Sequence, residues 1–309
     1  MSIPLNNNYV TEFYNAMASA GLTPPERPVS DDEIHRFKVE GDKQGSQNGW
    51  YVLYGGDIPA GGFGCWKRDI NKTWKASNHG LMSDKARKRN AEKVEAIKNQ
   101  RDHERRRRQI DAAVKSGELW TQASEEVATN HPYLMKKGIA PIDIKQLGDA
   151  LLVPMQNALG ELVNIQRITY DGQKRFMYGG AIKSCYCIIG ELSGVAFLCE
   201  GYATGATIHQ ATSRGVIVAF NAGNLESVAK SISLSRPHIK LIMAADNDHQ
   251  NADNTGLKKG QSIALGFNFP LEYPAFDNTD SGTDFNDLAN SKGLAVVITQ
   301  LQKYCKGGD

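Results

Sequence analysis

Three short and almost uninterrupted apolar runs constrain this chain most: VAFLCE (195–200), GVIVAF (215–220) and KLIMAAD (240–246). None alternates apolar with polar residues, so each reads as a strand buried on both faces, as in a parallel sheet. Two stretches of helical character separate them, YATGATIHQAT (202–212) and NLESVAKSI (224–232). Strand, helix and strand in alternation predict βαβ units, that is, an α/β domain over 191–309. Open parallel sheets bind ligands beyond the carboxyl ends of their strands. Attention therefore falls on the polar residues that end these runs: Glu200, Asp246 and, two residues on, Asp248.

The preceding residues divide into three further parts. Residues 1–80 read as a small β-rich unit with a helix over 9–20, a proline-broken segment, and short β-like runs separated by glycines. This unit is aromatic, with Trp50, Tyr51, Tyr54, Phe63, Trp66 and Trp74. Residues 81–117 read as a basic helical linker starting near Ser83-Asp84 and ending before Gly117, with Arg105, Arg106, Arg107 and Arg108 inside it. Residues 118–190 predict short helices followed by antiparallel strands, LLVPM, LVNIQRITY and RFMYGG, turning at NALG and DGQK.

Composition excludes several classes. With 40% hydrophobic and 23% charged residues in 309, the chain is globular rather than disordered, and long enough for two or three domains. No run nears the roughly 20 apolar residues of a membrane span, and the N-terminus lacks the pattern of a signal peptide. Five cysteines fit a reducing compartment, so a cytoplasmic location is expected. The pair Cys185/Cys187 has no second pair to complete a structural zinc site, which favours core cysteines. Net charge is only +2, but its distribution is uneven: basic residues crowd 85–108 and Asp/Asn crowd 243–287. A basic segment beside an acidic site suits a polyanion handled with metal ions.

Asp246-Asn247-Asp248 is a short acidic turn whose oxygens suit a hard cation such as Mg²⁺. A second acidic group follows at Asp280 and in SGTDFNDL (281–288), which carries Asp284 and Asp287. Phosphoryl transfer uses such groups to hold metals that neutralise charge and align the attacking oxygen. A single Asp at a strand end is more often the cap of the next helix than a metal ligand, and spacing alone leaves both roles open.

The ordered text CEGYATGATI (199–208), AADND (244–248) and GTDFNDL (282–288) resembles the TOPRIM domain of primases, topoisomerases and some nucleases. Upstream, HPYLMKKGI, LLVPMQNALGELVNIQRI and DGQKRFMYGG resemble the segment before that domain in plasmid and phage primases of the TraC and satellite-phage alpha-protein kind, and more distantly in DnaG-type primases. GWYVLYGGDIPAGGFGCWK resembles their N-terminal domain. The resemblance implies a TOPRIM parallel-sheet domain preceded by a DnaG-like α+β subdomain.

It also implies roles. Glu200 falls on the TOPRIM glutamate, a proposed general acid or base and metal contact. Asp246 and Asp248 fall on the metal-binding DxD, and Asp284 on the first acid of a further metal motif in DnaG-type primases. Two positions depart from that pattern: Asn286 stands where those enzymes have a second acid, and Thr204 where they have an Asp. Arg167, Lys174 and Arg175 fall on their basic ridge, as candidates for template or nucleotide phosphates.

Asn221 and Asn224 follow GVIVAF at the same sheet edge, where they either contact a nucleotide or cap the next helix. Lys258 and Lys259 are weaker phosphate candidates. Zinc-ribbon ligands are lacking in 1–80, and the aromatics there either stack on unpaired bases or form a small core.

The expectation is a mobile-element DNA primase of a phage or plasmid. It would use Mg²⁺ or Mn²⁺ to join nucleoside triphosphates on a single-stranded DNA template. A GxxxxGK[ST] loop is not seen, so helicase activity is expected from a partner. The alternatives are a TOPRIM nuclease and a catalytically silent single-strand-binding accessory protein.

Overall fold

The computed structural model describes residues 8–42, 45, 47–55, 59–65, 68, 70–76, 84–251, 253–277 and 279–305. The chain divides into two compact units, residues 1–102 and 103–309.

In the first unit, helix α1 (Asn8–Ser19) accompanies an antiparallel sheet of β1 (His35–Phe37), β2 (Gly49–Tyr54), β3 (Ala60–Cys65) and β4 (Ile70–Lys75), in the order β1-β2-β3-β4. Phe13 of α1 sits at the centre of the aromatic core, edge-on to Tyr51, Phe63 and Trp74 at 5.1–6.0 Å. Tyr51 and Phe63 are buried, and the Trp50 indole lies across Gly62 and Gly64 of β3. These aromatics build the interior, as the core reading of the sequence has it. Trp66 lies outside the described residues.

Helix α2 (Asp84–Gln122) is longer than the sequence suggests: it runs through Gly117 rather than stopping before it. One internal glycine costs only about 1 kcal/mol against Ala. Beyond Gly117, Leu119 and Trp120 pack on Ala150, Leu152 and Ile165, and that burial outweighs the local penalty. Ser83, the expected cap, lies outside the described residues.

The second unit contains two sheets. After α3 (Pro132–Lys137), strands β5 (Lys145–Leu147), β6 (Ala150–Gln156), β7 (Leu162–Ile168) and β8 (Lys174–Phe176) form an antiparallel sheet in chain order. Its turns use Gly160 and Gly172, both at positive φ. The other sheet has the order β13-β12-β10-β11-β9, from β9 (Cys187–Ile189), β10 (Val195–Cys199), β11 (Gly215–Val218), β12 (Lys240–Ala244) and β13 (Leu271–Glu272). The last four are mutually parallel, and β9 runs antiparallel to β11. Both faces are covered, as uninterrupted apolar strands require. Helices α4 (Tyr202–Thr212), α7 (Phe285–Lys292) and α8 (Leu294–Leu301) share one core with β10, while α5 (Leu225–Ser235) and α6 (Thr255–Phe267) share another. All five cysteines are free and four are buried. Among the described residues no helix is long and apolar enough to cross a membrane.

Candidate active site

Strand register brings the first two acids together. Leu198 of β10 pairs with Met243 of β12 in parallel, so Glu200 emerges level with Ala245, next to Asp246. Helix α4 starts at once after Glu200, with Gly201 as its N-cap. Gly205 lets that helix lie close to the sheet: a Cβ there would come within 2.8 Å of Val218 Cγ2 and 3.3 Å of Cys199 Sγ. The glycine of the YATG segment therefore sets how near α4 comes to Glu200's strand.

The third acid arrives from a loop. Asp284 is the N-cap of α7 and accepts a hydrogen bond from Asp287 N at 2.8 Å through Oδ1. Its Oδ2 accepts from Thr204 Oγ1 at 2.9 Å. Asp248 Oδ2 accepts from Gly256 N, at the start of α6, at 3.0 Å. Both residues thus serve helix N-termini.

These carboxylates crowd one another. Asp246 is pushed up to about 8, first by burial and then by the charges of Asp284, Glu200, Asp248 and Asp287. Burial also raises Glu200, as do Asp248 and Asp284, while the Ala222 backbone amide and Lys174 oppose the rise. Asp246 Oδ1 is buried and has no hydrogen-bond partner. An unpaired buried carboxylate oxygen among like charges is the electrostatic setting that a hard cation relieves.

Among the described residues no three acidic, His or Cys side chains converge as a ready-made cage. That argues against a closed structural site. Mg²⁺ is commonly held by one or two carboxylates, with waters and substrate phosphates filling the rest. Asp246, Asp248, Glu200 and Asp284 are the oxygen donors that fit such an ion.

The remaining acids are paired with lysines. Asp280 bonds Lys292 at 2.8 Å, and Asp287 pairs with Lys137 at 3.4 Å. Asn286 is buried, donating to Lys137 O and Thr207 Oγ1 at 2.6 and 3.0 Å, so it binds α3 and α4 together.

Cations reach the acids from the antiparallel sheet and from α3. Lys174 is exposed as a residue, yet its ammonium lies 5.5 Å from the centre of the Tyr133 ring. Shelter from water lowers its pKa, as does neighbouring Lys137, while Asp284, Glu200 and Asp246 raise it. Sequence patterning does not single out Lys137 and Tyr133. Their segment, HPYLMKKGI, carries a family resemblance but no sign of where α3 packs.

Arg167 and Arg175 lie elsewhere. They are directly opposed across β7 and β8, and strand alternation puts Arg175 on the face opposite Lys174. They line an open groove of about 450 Å³ with Asp149, Tyr170 and Asp171. The basic strands thus present one cation to the acids and two to a different surface.

Asn221 is half-buried at the edge of the parallel sheet. The amide of Asn224 is spent inside the protein: Oδ1 accepts from Ser184 N at 2.8 Å, and Nδ2 donates to Cys185 O at 2.9 Å and Ala219 O at 3.0 Å. Lys258 and Lys259 pair with Asp253 at 3.8 Å and Glu226 at 3.7 Å.

Residues 195–295 match the family model described as Toprim domain, which spans Glu200, the DxD and Asp284. Two Escherichia coli proteins named DNA primase TraC are each 31% identical to this chain. One alignment covers 82% of this chain and 25% of the relative, the other 86% and 19%. The chain spans about a quarter or less of the length of these relatives. Similar solved structures include the zinc-binding and RNA polymerase domains of Aquifex aeolicus primase, with TM-score 0.46, 10% identity, and coverage of 96% of this chain and 84% of that one. Another is the DnaG primase catalytic domain bound to ssDNA, with TM-score 0.43, 11% identity, and coverage of 66% and 80%. The chain contains a Toprim domain over residues 195–295. Within that class its sequence is similar to DNA primase TraC over most of its length.

Proposed function

We propose that this chain is a DNA primase that joins nucleoside triphosphates into a short primer on a single-stranded DNA template. Its setting is the bacterial cytoplasm, in the service of a phage or plasmid replicon, with a replicative helicase as partner. The observation that carries this reading is the buried, unpaired Oδ1 of Asp246, a carboxyl pushed up by burial and by the charges of Asp284, Glu200 and Asp248, with the Lys174 ammonium feeling the same acids. Such a site has the two halves that nucleotidyl transfer needs: oxygen donors for divalent ions and cations for a triphosphate.

Bound Mg²⁺ or Mn²⁺ would make the primer 3′-hydroxyl more acidic and stabilise the departing pyrophosphate. Asp246, Asp248 and Asp284 would hold the ions, with Thr204 and Asp287 N fixing the Asp284 carboxylate. Glu200, whose pKa is raised by burial and its neighbours, would hold an ion with them or take up the hydroxyl proton. Lys174 and Lys137 attract the triphosphate, and Arg167 and Arg175 attract the template strand on their own face. Asn221 sits where it can meet the nucleotide.

The test is a template-directed reaction with labelled triphosphates on circular single-stranded DNA, with and without Mn²⁺. Short labelled products that require template and metal support the proposal. Metal-dependent cleavage of the circle would instead mark a Toprim nuclease, and binding without reaction an accessory protein.

A further inference from the structure

Among the described residues three buried side-chain polar atoms lack a hydrogen-bond partner: Ser30 Oγ, Asp246 Oδ1 and Tyr133 Oη. The last two belong to one neighbourhood. Asp246 and Tyr133 are both perturbed by the charge of Asp284, and the ammonium of Lys174 lies over the Tyr133 ring.

A buried hydroxyl without a partner is unfavourable, and Phe would fill the same space without that penalty. The other large buried tyrosine of this core shows the usual solution. Tyr202 Oη donates to Ile142 O at 2.8 Å and accepts from Ile142 N at 3.0 Å. Tyr133 is 4% exposed and packs in the same apolar core, so its ring has ample structural reason to be there, but its hydroxyl has none. The missing partner is to be sought in the ligand.

We propose that the Tyr133 hydroxyl is a concealed ligand-binding group: it donates a hydrogen bond to a phosphate oxygen of the incoming nucleoside triphosphate once Lys174 moves off the ring to the same anion. This rests on the nucleotide-polymerising reading above. Burial and the charge of Asp284 keep the phenol protonated, hence a donor, throughout the working range. In the ligand-free protein the Lys174 ammonium lies over the ring, 5.5 Å from its centre. In the loaded site one lysine and one phenol would grip a single phosphate, a neutral donor adding direction to the attraction of the cation.

The test uses the full chain as wild type, Tyr133→Phe and Lys174→Ala. Calorimetry gives the affinity for magnesium ATP and for a single-stranded oligonucleotide, and thermal melting without ligand gives stability. For Tyr133→Phe the expected result is a melting midpoint at or above wild type, ATP affinity about tenfold or more weaker, and unchanged oligonucleotide affinity. Unchanged ATP affinity in Tyr133→Phe, with Lys174→Ala weakened, overturns this inference alone. Failure of the wild type to bind ATP overturns the nucleotide reading and this inference with it. A lowered midpoint or failure of Tyr133→Phe to fold would assign the hydroxyl a structural partner. A loss confined to the oligonucleotide would assign it to the strand. Either result overturns the proposal.

Discussion

Thr204 Oγ1 donates a 2.9 Å hydrogen bond to Asp284 Oδ2, tying the first turn of α4 to the N-cap of α7 across 80 residues of sequence. At this position a hydroxyl brings a donor, and no further negative charge, to a crowded site. With Asp287 N on the other oxygen, Asp284 is held at both ends, and its orientation is set before any ion arrives.

Thr204→Val keeps the shape of the side chain and removes that donor. Stability should fall by about 1 kcal/mol, the net worth of a typical buried hydrogen bond. The Mg²⁺ concentration for half-maximal synthesis should rise several-fold, while Thr204→Ser restores both. Melting curves and a metal titration of primer synthesis measure the two effects.

The raised pKa of Asp246 makes stability depend on pH in a definite direction. In the unfolded chain this group loses its proton near 3.8, and in the folded protein near 8. Between those values the folded state binds more protons than the unfolded one, so stability declines as pH rises through the window and levels off above it. Metal competes with the same proton, so stabilisation by Mg²⁺ should grow over the same interval. Melting from pH 5 to 9, with chelator and with Mg²⁺, should give opposed slopes. Asp246→Asn should flatten both.

The split of the basic strands predicts separable defects. Arg167→Ala with Arg175→Ala should weaken single-stranded DNA binding. The slope of log K against log salt should shrink by about 0.7 for each phosphate no longer neutralised. Nucleotide affinity should hold. Lys174→Ala should do the reverse. Fluorescence titrations of oligonucleotide at several salt concentrations, paired with nucleotide calorimetry, resolve the two.

Gly205→Ala tests the close approach of α4 to the sheet. The new methyl would meet Val218 Cγ2 at 2.8 Å, inside a packed core. Overpacking of this kind costs about 1–3 kcal/mol. A chemical-denaturation midpoint equal to wild type would show that the helix can retreat freely.

Much of the parallel sheet is legible in the sequence, because strands buried on both faces must be apolar without interruption and their polar ends are conspicuous. Glu200, Asp246 and Asp248 follow from that alone. What escapes is whatever depends on long-range packing. Thr204 and Asp284 are 80 residues apart, and nothing local announces their bond. Lys137 and Tyr133 reach the acids from a six-residue helix whose docking no periodicity encodes. The C-terminal end of α2 lies beyond Gly117 because the packing of Leu119 and Trp120 overrides one glycine. The opposite facing of Lys174 and Arg175 is implicit in strand alternation, but only the paired register shows which face meets the acids. Asn224, equally suited by sequence to ligand or cap, is consumed by three backbone bonds that no local pattern reveals.

The most direct measurement is primer synthesis by Asp246→Asn at saturating Mn²⁺, read beside its melting midpoint without metal. At pH 9, where Asp246 carries its charge, the substitution relieves mutually repelling carboxylates and should leave the midpoint at or above wild type, while synthesis falls by about a thousandfold or more, as removal of a metal ligand that acts in the transition state implies. Synthesis at the wild-type rate by this variant would contradict the assignment of the carboxylate cluster as the metal-dependent centre.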